Sequence, residues 1–298
     1  MGSGLVLQHH DNNGNLTDQA LTAAPFHARY DHMNLPVRVH RAAAISEFAY
    51  AADGSRARQW GAEGLRVYLP SFEDVVASPH GEVESRAYLE DYAVLSRRPN
   101  NTLAVEYLLT DRLGSADAVG QTNGNLIHER GFDAFGKPRA GDWSDLVPPR
   151  LSTASLSVTQ KGFTQHEHLN SVQLIHMNGR GFDYNLGRFL SVDPFIQFPL
   201  NSQSLNPYSY ILNNPMAGTD PTGYLSNSVL PQRSFWFDEL REKYGKWGNQ
   251  SPRPAGRGAG ATHKVEVVVM EVGQVSVGEP KPTDNGSGGQ SSYGVQRS

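Results

Sequence analysis

An all-β fold, made of antiparallel hairpins in a curved and strongly twisted sheet, is what this sequence predicts. Three observations carry the prediction. Charged residues make up 19% of the 298 residues, while Gly (30) and Pro (18) are plentiful; that balance favours short strands and turns over charged helices. Asn13-Gly14, Asp53-Gly54 and Asn123-Gly124 interrupt short alternating runs, and such dipeptides suit two-residue hairpin loops whose central residues both take positive φ. Similar units recur at intervals of about twenty residues, as one hairpin per repeat requires.

The elements follow in order. Residues 1–75 hold degenerate hairpins: Asp11-Asn-Asn-Gly14-Asn15-Leu16, then Tyr30-Asp31-His-Met-Asn34-Leu35-Pro36-Val37-Arg38-Val39, then Phe48-Ala-Tyr50-Ala-Ala-Asp53-Gly54-Ser-Arg56. In each unit the Tyr is expected to pack across its neighbour and the Asp to accept hydrogen bonds from the turn. Residues 76–104 read as a connecting segment. A denser run follows, with Tyr107-Leu-Leu-Thr-Asp111-Arg-Leu-Gly114-Ser115, Asn123-Gly124-Asn125 and Phe132-Asp133-Ala-Phe135-Gly136, which alternates strand and turn. Residues 140–160 are rich in Ser, Thr and Pro and read as a loop. Gly162-Phe-Thr-Gln-His166-Glu167 restarts the pattern. It continues through Arg180-Gly-Phe-Asp183-Tyr-Asn-Leu-Gly-Arg188-Phe-Leu-Ser-Val-Asp193-Pro194, an Asn213-Asn-Pro215 turn and Asp220-Pro-Thr-Gly223-Tyr224.

From Leu225 the pattern breaks. Phe235–Tyr244 reads as a short amphipathic helix and Val265–Val272 as a strand, with Pro/Gly/Ser-rich chain between and after them. So little regular apolar patterning predicts a largely disordered tail over 225–298.

The ordered series Asp111-Arg-Leu-Gly-Ser115, Asn123-Gly-Asn125, Asp133-Ala-Phe-Gly136, Gly162 to Glu167, Arg180 to Pro194 and Asp220 to Tyr224 resembles the repeat-associated core of the Rhs/YD-repeat proteins. Those proteins form the shells of bacterial polymorphic toxins and are related to the C components of insecticidal toxin complexes. The resemblance covers residues 105–224, and more weakly the hairpins at 9–75, where His9, His10 and Ala51 replace expected aromatic or acidic residues. It implies a spiralling sheet that forms part of a shell around a C-terminal cargo. It also implies aspartyl self-cleavage after the Asp-Pro-x-Gly-x segment, between Tyr224 and Leu225, with Asp183 and Asp193 as the carboxylates and Arg180 as their support. Two carboxylates in a shielded pocket share a proton, so that one activates water while the other polarises the carbonyl. The family commonly has Leu where Tyr224 stands, and Gly where Gln165 stands.

By the same resemblance the chain partners its own tail or an upstream shell segment, in bacterial competition or attack on a host, with secretion-apparatus proteins delivering it. It is expected to be soluble, with no signal peptide and too short to close a shell alone, as a terminal fragment or a displaced cassette. The rival reading is an inert structural or adhesive module with a decayed tail and no catalysis. An enzymatic toxin within 226–298 has no catalytic set to recommend it, only a lone His263 among scattered acids.

Other chemistry finds little support. His166, Glu167, His168 and His176 lack metal-site spacing, since only His166 and His168 share a strand face. No phosphate loop and no Ser-centred nucleophile elbow occurs, and no cofactor is implied. The absence of Cys excludes thiolate chemistry without fixing a compartment. A net charge of −4 with both signs scattered favours neither nucleic acid nor an anionic membrane, and no stretch is long enough to span a bilayer.

Overall fold

A computed structural model describes residues 7–20, 24–62, 64–69, 72–77, 82–144 and 158–228. The expected helix at 235–244, the expected strand at 265–272 and most of the 140–160 loop lie outside these residues. Over the first part the chain runs as fourteen strands: β1 (Leu7–His10), β2 (Leu16–Ala20), β3 (Phe26–Tyr30), β4 (Pro36–Arg41), β5 (Ala44–Tyr50), β6 (Arg56–Gly61) and β7 (Gly64–Tyr68). There follow β8 (Glu73–Ala77), β9 (Glu82–Leu89), β10 (Ala93–Arg97), β11 (Leu103–Thr110), β12 (Ala116–Gln121), β13 (Leu126–Phe132) and β14 (Pro138–Ala140). They form one sheet in chain order, and β1 and β14 are its two edges. The sheet runs on without a break through 76–104, which carries β9 and β10 rather than a bare connection.

The loops that open with Asp11, Asp31, Asp111 and Asp133 share one design, and it corrects an expectation; two-residue loops do occur, but at Arg41/Ala44 and Gly61/Gly64. The N–H groups of Asp11, Asp31, Asp111 and Asp133 donate to the carbonyl four residues on, and their carbonyls accept from the residue three on. Their Oδ1 atoms each accept two further backbone N–H groups, at 2.8–3.0 Å. Only the fourth residue has positive φ: Gly14 at 81°, Asn34 at 62°, Gly114 at 82° and Gly136 at 84°. These are three-residue loops, a type I turn closed by one left-handed residue, and not two-residue loops with two such residues. The Asp carboxylate favours this form because it satisfies turn amides that a two-residue loop would not expose. Where Ala51 and Gln121 stand in place of Asp, Asp53 and Asn123 accept from Ser55 and Asn125 instead. The extra residue shifts the register at Arg29/Tyr30, Ala49/Tyr50 and Leu109/Thr110, and such bulges add twist.

Tyr30 and Tyr50 each reach back across the preceding hairpin, their hydroxyls donating to Leu16 O and Pro36 O at 2.9 Å. One face of the sheet is buried yet largely polar. Cross-strand rows Phe48–Gln59–Arg66 and Glu73–Arg86–Ser96 lie on it. Toward β1 the same face turns apolar, with Leu16, Phe26, Val39 and Phe48 in one cluster with Leu169, Val172, Leu174 and Leu190.

Those last residues belong to a second layer, a four-stranded antiparallel sheet of β15 (Glu167–Leu169), β16 (Leu174–Met177), β17 (Arg180–Asp183) and β18 (Arg188–Phe189). Behind it, Phe163, Ile175, Met177, Phe182, Phe189 and Tyr210 form a second core. The layers are also bolted together by hydrogen bonds from Leu16 N to Leu190 O at 2.7 Å and from the Tyr208 hydroxyl to Gly14 O at 2.8 Å. A short pair, β19 (Gly218–Thr219) and β20 (Asn227–Ser228), closes the described chain. Among the described residues no helix is long and apolar enough to cross a membrane.

Candidate functional site

Strand β17 fixes the site through its alternation. Arg180 and Asp183 stand three apart on one strand, so their side chains leave opposite faces. Asp183, fully buried, turns toward the large sheet and pairs with Arg41 of β4, while its Oδ1 accepts from Asn185 N and Leu186 N. Arg180 turns the other way. Its Nη2 meets Asp193 Oδ2 at 2.9 Å and lies 3.6 Å from Asp220 Oδ2. The carboxylates gathered on Arg180 are therefore Asp193 and Asp220, whereas the resemblance implied Asp183 and Asp193.

The guanidinium is 1% exposed and otherwise fully engaged. Its Nε donates to Gly223 O and its Nη1 to Pro207 O, and the group stacks 3.6 Å from the Phe189 ring centroid. Burial pushes its pKa down, opposed by the two aspartates. Burial likewise drives the Asp193 carboxyl up to about 6 against the pull of Arg180. Asp220, buried as well, is also raised. Both carboxyls thus sit on one buried cation, and burial holds each above its ordinary range.

This cluster sits against the expected cut. Leu225 N donates to Asp220 Oδ1 at 3.0 Å, and the Tyr224 carbonyl oxygen accepts from Gln197 Nε2 at 2.7 Å. Gln197 Oε1 accepts from Ser226 N and Oγ. Tyr224 is well housed: its hydroxyl donates to Gly179 O at 2.9 Å and its ring meets Phe195 edge-on. Gly179 is needed for that approach, since a Cβ there would lie 2.0 Å from the ring. A cavity of about 30 Å³, lined by Arg180, Asp193, Gln197, Asp220 and Ser226 among others, exceeds what one water requires.

No protein-family model matches the chain, and no curated protein matches it. Solved structures do. A crystal structure of TcdB2-TccC3 aligns with a TM-score of 0.53 at 15% identity, over 73% of this chain and 13% of that one. The same complex without its hypervariable C-terminal region aligns at 0.52, again with 15% identity over 73% and 13%. A variant of the Photorhabdus luminescens Tc holotoxin pore gives 0.50 at 15% identity, over 78% of this chain and 14% of that one. The chain thus spans about an eighth of the length of these structures. The likeness is one of fold.

The histidines have separate duties. His168 Nε2 accepts from Phe163 N at 3.0 Å, His166 Nε2 bonds Asp220 O at 2.9 Å, and His176 Nε2 bonds the Tyr50 hydroxyl at 3.0 Å. Burial holds all three below their ordinary range, His166 down to about 4. Glu167 points the other way, into the polar face of the large sheet. Arg56 pairs with it, the Tyr68 hydroxyl donates to it at 2.7 and 2.9 Å, and Arg66 Nε lies 3.7 Å away. Among the described residues no three His, Asp or Glu side chains converge as a metal site.

The sequence places Asp220 only in the closing turn, not among the carboxylates on Arg180, and does not single out Gln197. For Asp220 a signal existed, because it begins the second of two Asp-Pro pairs flanking the turn-rich segment. Gln197 carried none.

Proposed function

We propose that this chain is a segment of a toxin-type β shell that cuts itself between Tyr224 and Leu225, freeing the chain beyond the cut as cargo. The observation that carries the reading is the Asp193–Arg180–Asp220 cluster bonded to the amide nitrogen of that peptide bond. Ionised Asp193 takes a proton from a water whose oxygen adds to the Tyr224 carbonyl carbon. The bond to Leu225 N then breaks as that nitrogen, its N–H held on Asp220 Oδ1 and its lone pair freed once the carbon is tetrahedral, gains the proton of a protonated Asp220 carboxyl, leaving a Tyr224 carboxyl and a Leu225 amine. Arg180 lies nearer Asp193 (2.9 Å) than Asp220 (3.6 Å), which favours Asp193 as the ionised member.

The likeness in fold to toxin-complex chains supports the shell part of this reading, as does the existence of a hypervariable C-terminal region in one of them. A larger assembly, completed by an upstream segment, is the natural setting for so small a portion of such a fold. Intact mass of freshly made protein tests the cut. Asp193→Asn and Asp220→Asn should each stay whole, and cleavage of either at the wild-type rate would remove that carboxyl from the reaction.

A further inference from the structure

The Tyr224–Leu225 peptide is held at both ends, its N–H by Asp220 and its carbonyl oxygen by Gln197. Gln197 follows β18 by eight residues, on the segment whose entry is set by Phe195 N donating to Asp193 Oδ1 at 2.9 Å. Its amide spans the peptide. Oε1 accepts from Ser226 N at 3.1 Å and from Ser226 Oγ at 2.9 Å, and Nε2 donates to Tyr224 O at 2.7 Å. The direction of the amide is fixed by chemistry, because a backbone N–H can only donate and a carbonyl can only accept. Turning the amide over would break both contacts with the backbone.

Attack of water on the Tyr224 carbonyl carbon moves the C=O electron pair onto that oxygen. The cation nearby is already committed: Arg180 spends Nε on Gly223 O, Nη1 on Pro207 O and Nη2 on Asp193 and Asp220. Gln197 Nε2, by contrast, is aimed at the oxygen that becomes charged, and it lines the same cavity as the two carboxyls. Anchoring by Ser226 means the donor is already oriented before the reaction starts, which is what makes such a group effective.

Building on the self-cleavage reading, we infer that Gln197 is a catalytic residue whose Nε2 stabilises the oxyanion formed at Tyr224. As the intermediate collapses, the electron pair returns to carbon and the C–N bond breaks. Gln197 thus donates throughout without gaining or losing a proton.

The test uses the full chain made by cell-free synthesis and followed by intact mass over time. Gln197→Leu should slow the appearance of the Tyr224-terminated product by about 10²- to 10³-fold, the usual effect of removing one oxyanion donor. Gln197→Glu keeps the length and the acceptor for Ser226 but lacks the donor when ionised. It should cleave slowly at neutral pH and have its pH optimum moved to the acid side, where the protonated carboxyl can donate. A purely structural role would not move that optimum. Melting of Gln197→Leu in an Asp193→Asn background, which stays uncut, shows that the fold is kept. If wild type is cut and Gln197→Leu follows within about threefold, the role of Gln197 is wrong while self-cleavage stands. If wild type itself stays whole, both fall together.

Discussion

Replacing Asp183 by Asn separates structure from chemistry at the place where the sequence suggested they coincide. The Arg41 and Asp183 side chains are 3% and 0% exposed, so neither has water to turn to. Asn keeps an oxygen for Asn185 N and Leu186 N but removes the charge, leaving the Arg41 guanidinium buried without its counter-ion over the Phe26 ring. Breaking a buried pair in this way costs about 3–5 kcal/mol. At roughly 2–4 °C per kcal/mol for a unit of this size, melting should fall by about 6–20 °C. The comparison belongs in an Asp193→Asn background, so that both proteins are uncut and identical in length. Arg41→Met with Asp183→Leu, which removes both charges, should recover much of the loss. The separate assay is cleavage at a temperature where Asp183→Asn remains folded, and there the cut should still occur. A loss below about 1 kcal/mol, or a folded Asp183→Asn that fails to cut, would refute the structural assignment and return Asp183 to the reaction.

Other outcomes follow from the same geometry. With the Asp193 carboxyl raised to about 6 and acting as the base, the cleavage rate should fall as pH drops below about 6; a rate independent of pH between 4 and 7 would exclude it as the base. Gly223→Ala should abolish cleavage and destabilise the turn, because φ there is 76° and a Cβ would lie 2.0 Å from Met177 O; thermal melting together with product mass checks it. Glu167→Gln should lower stability by about 3 kcal/mol or more by leaving Arg56 unbalanced, with cleavage retained in the folded fraction. Denaturant midpoints measure the first effect and intact mass the second.

Much of the fold was legible because hairpins are local. An Asp followed three residues later by Gly or Asn states both where the chain turns and which side chain satisfies the turn, as Asp11, Asp31, Asp111 and Asp133 show. What the dipeptides did not reveal was loop length, because Asn-Gly serves a two-residue loop and the end of a three-residue loop equally well. Of the three residues that the resemblance implied, the structure brings two together. Arg180 and Asp193 do meet, but Asp183 is separated from them by the pleat of β17, and an alternation count along Arg180-Gly-Phe-Asp183 contains that information. Its partner Arg41 lies 142 positions away, a pairing that only the packing of two sheets brings about. Gln197 has no motif because its contacts depend on where the chain returns around Tyr224 and Ser226. Tyr224, an exception to the expected Leu, is accommodated by Gly179 and by a hydroxyl partner in its carbonyl.

Intact mass spectrometry of the freshly synthesised wild-type chain decides whether it cuts itself. Self-cleavage by the Asp193–Asp220 pair predicts two species, one ending at Tyr224 and one beginning at Leu225, with a single uncut species for Asp193→Asn. A wild-type chain that keeps its full mass through prolonged incubation across pH 5 to 8, while folded, would contradict it.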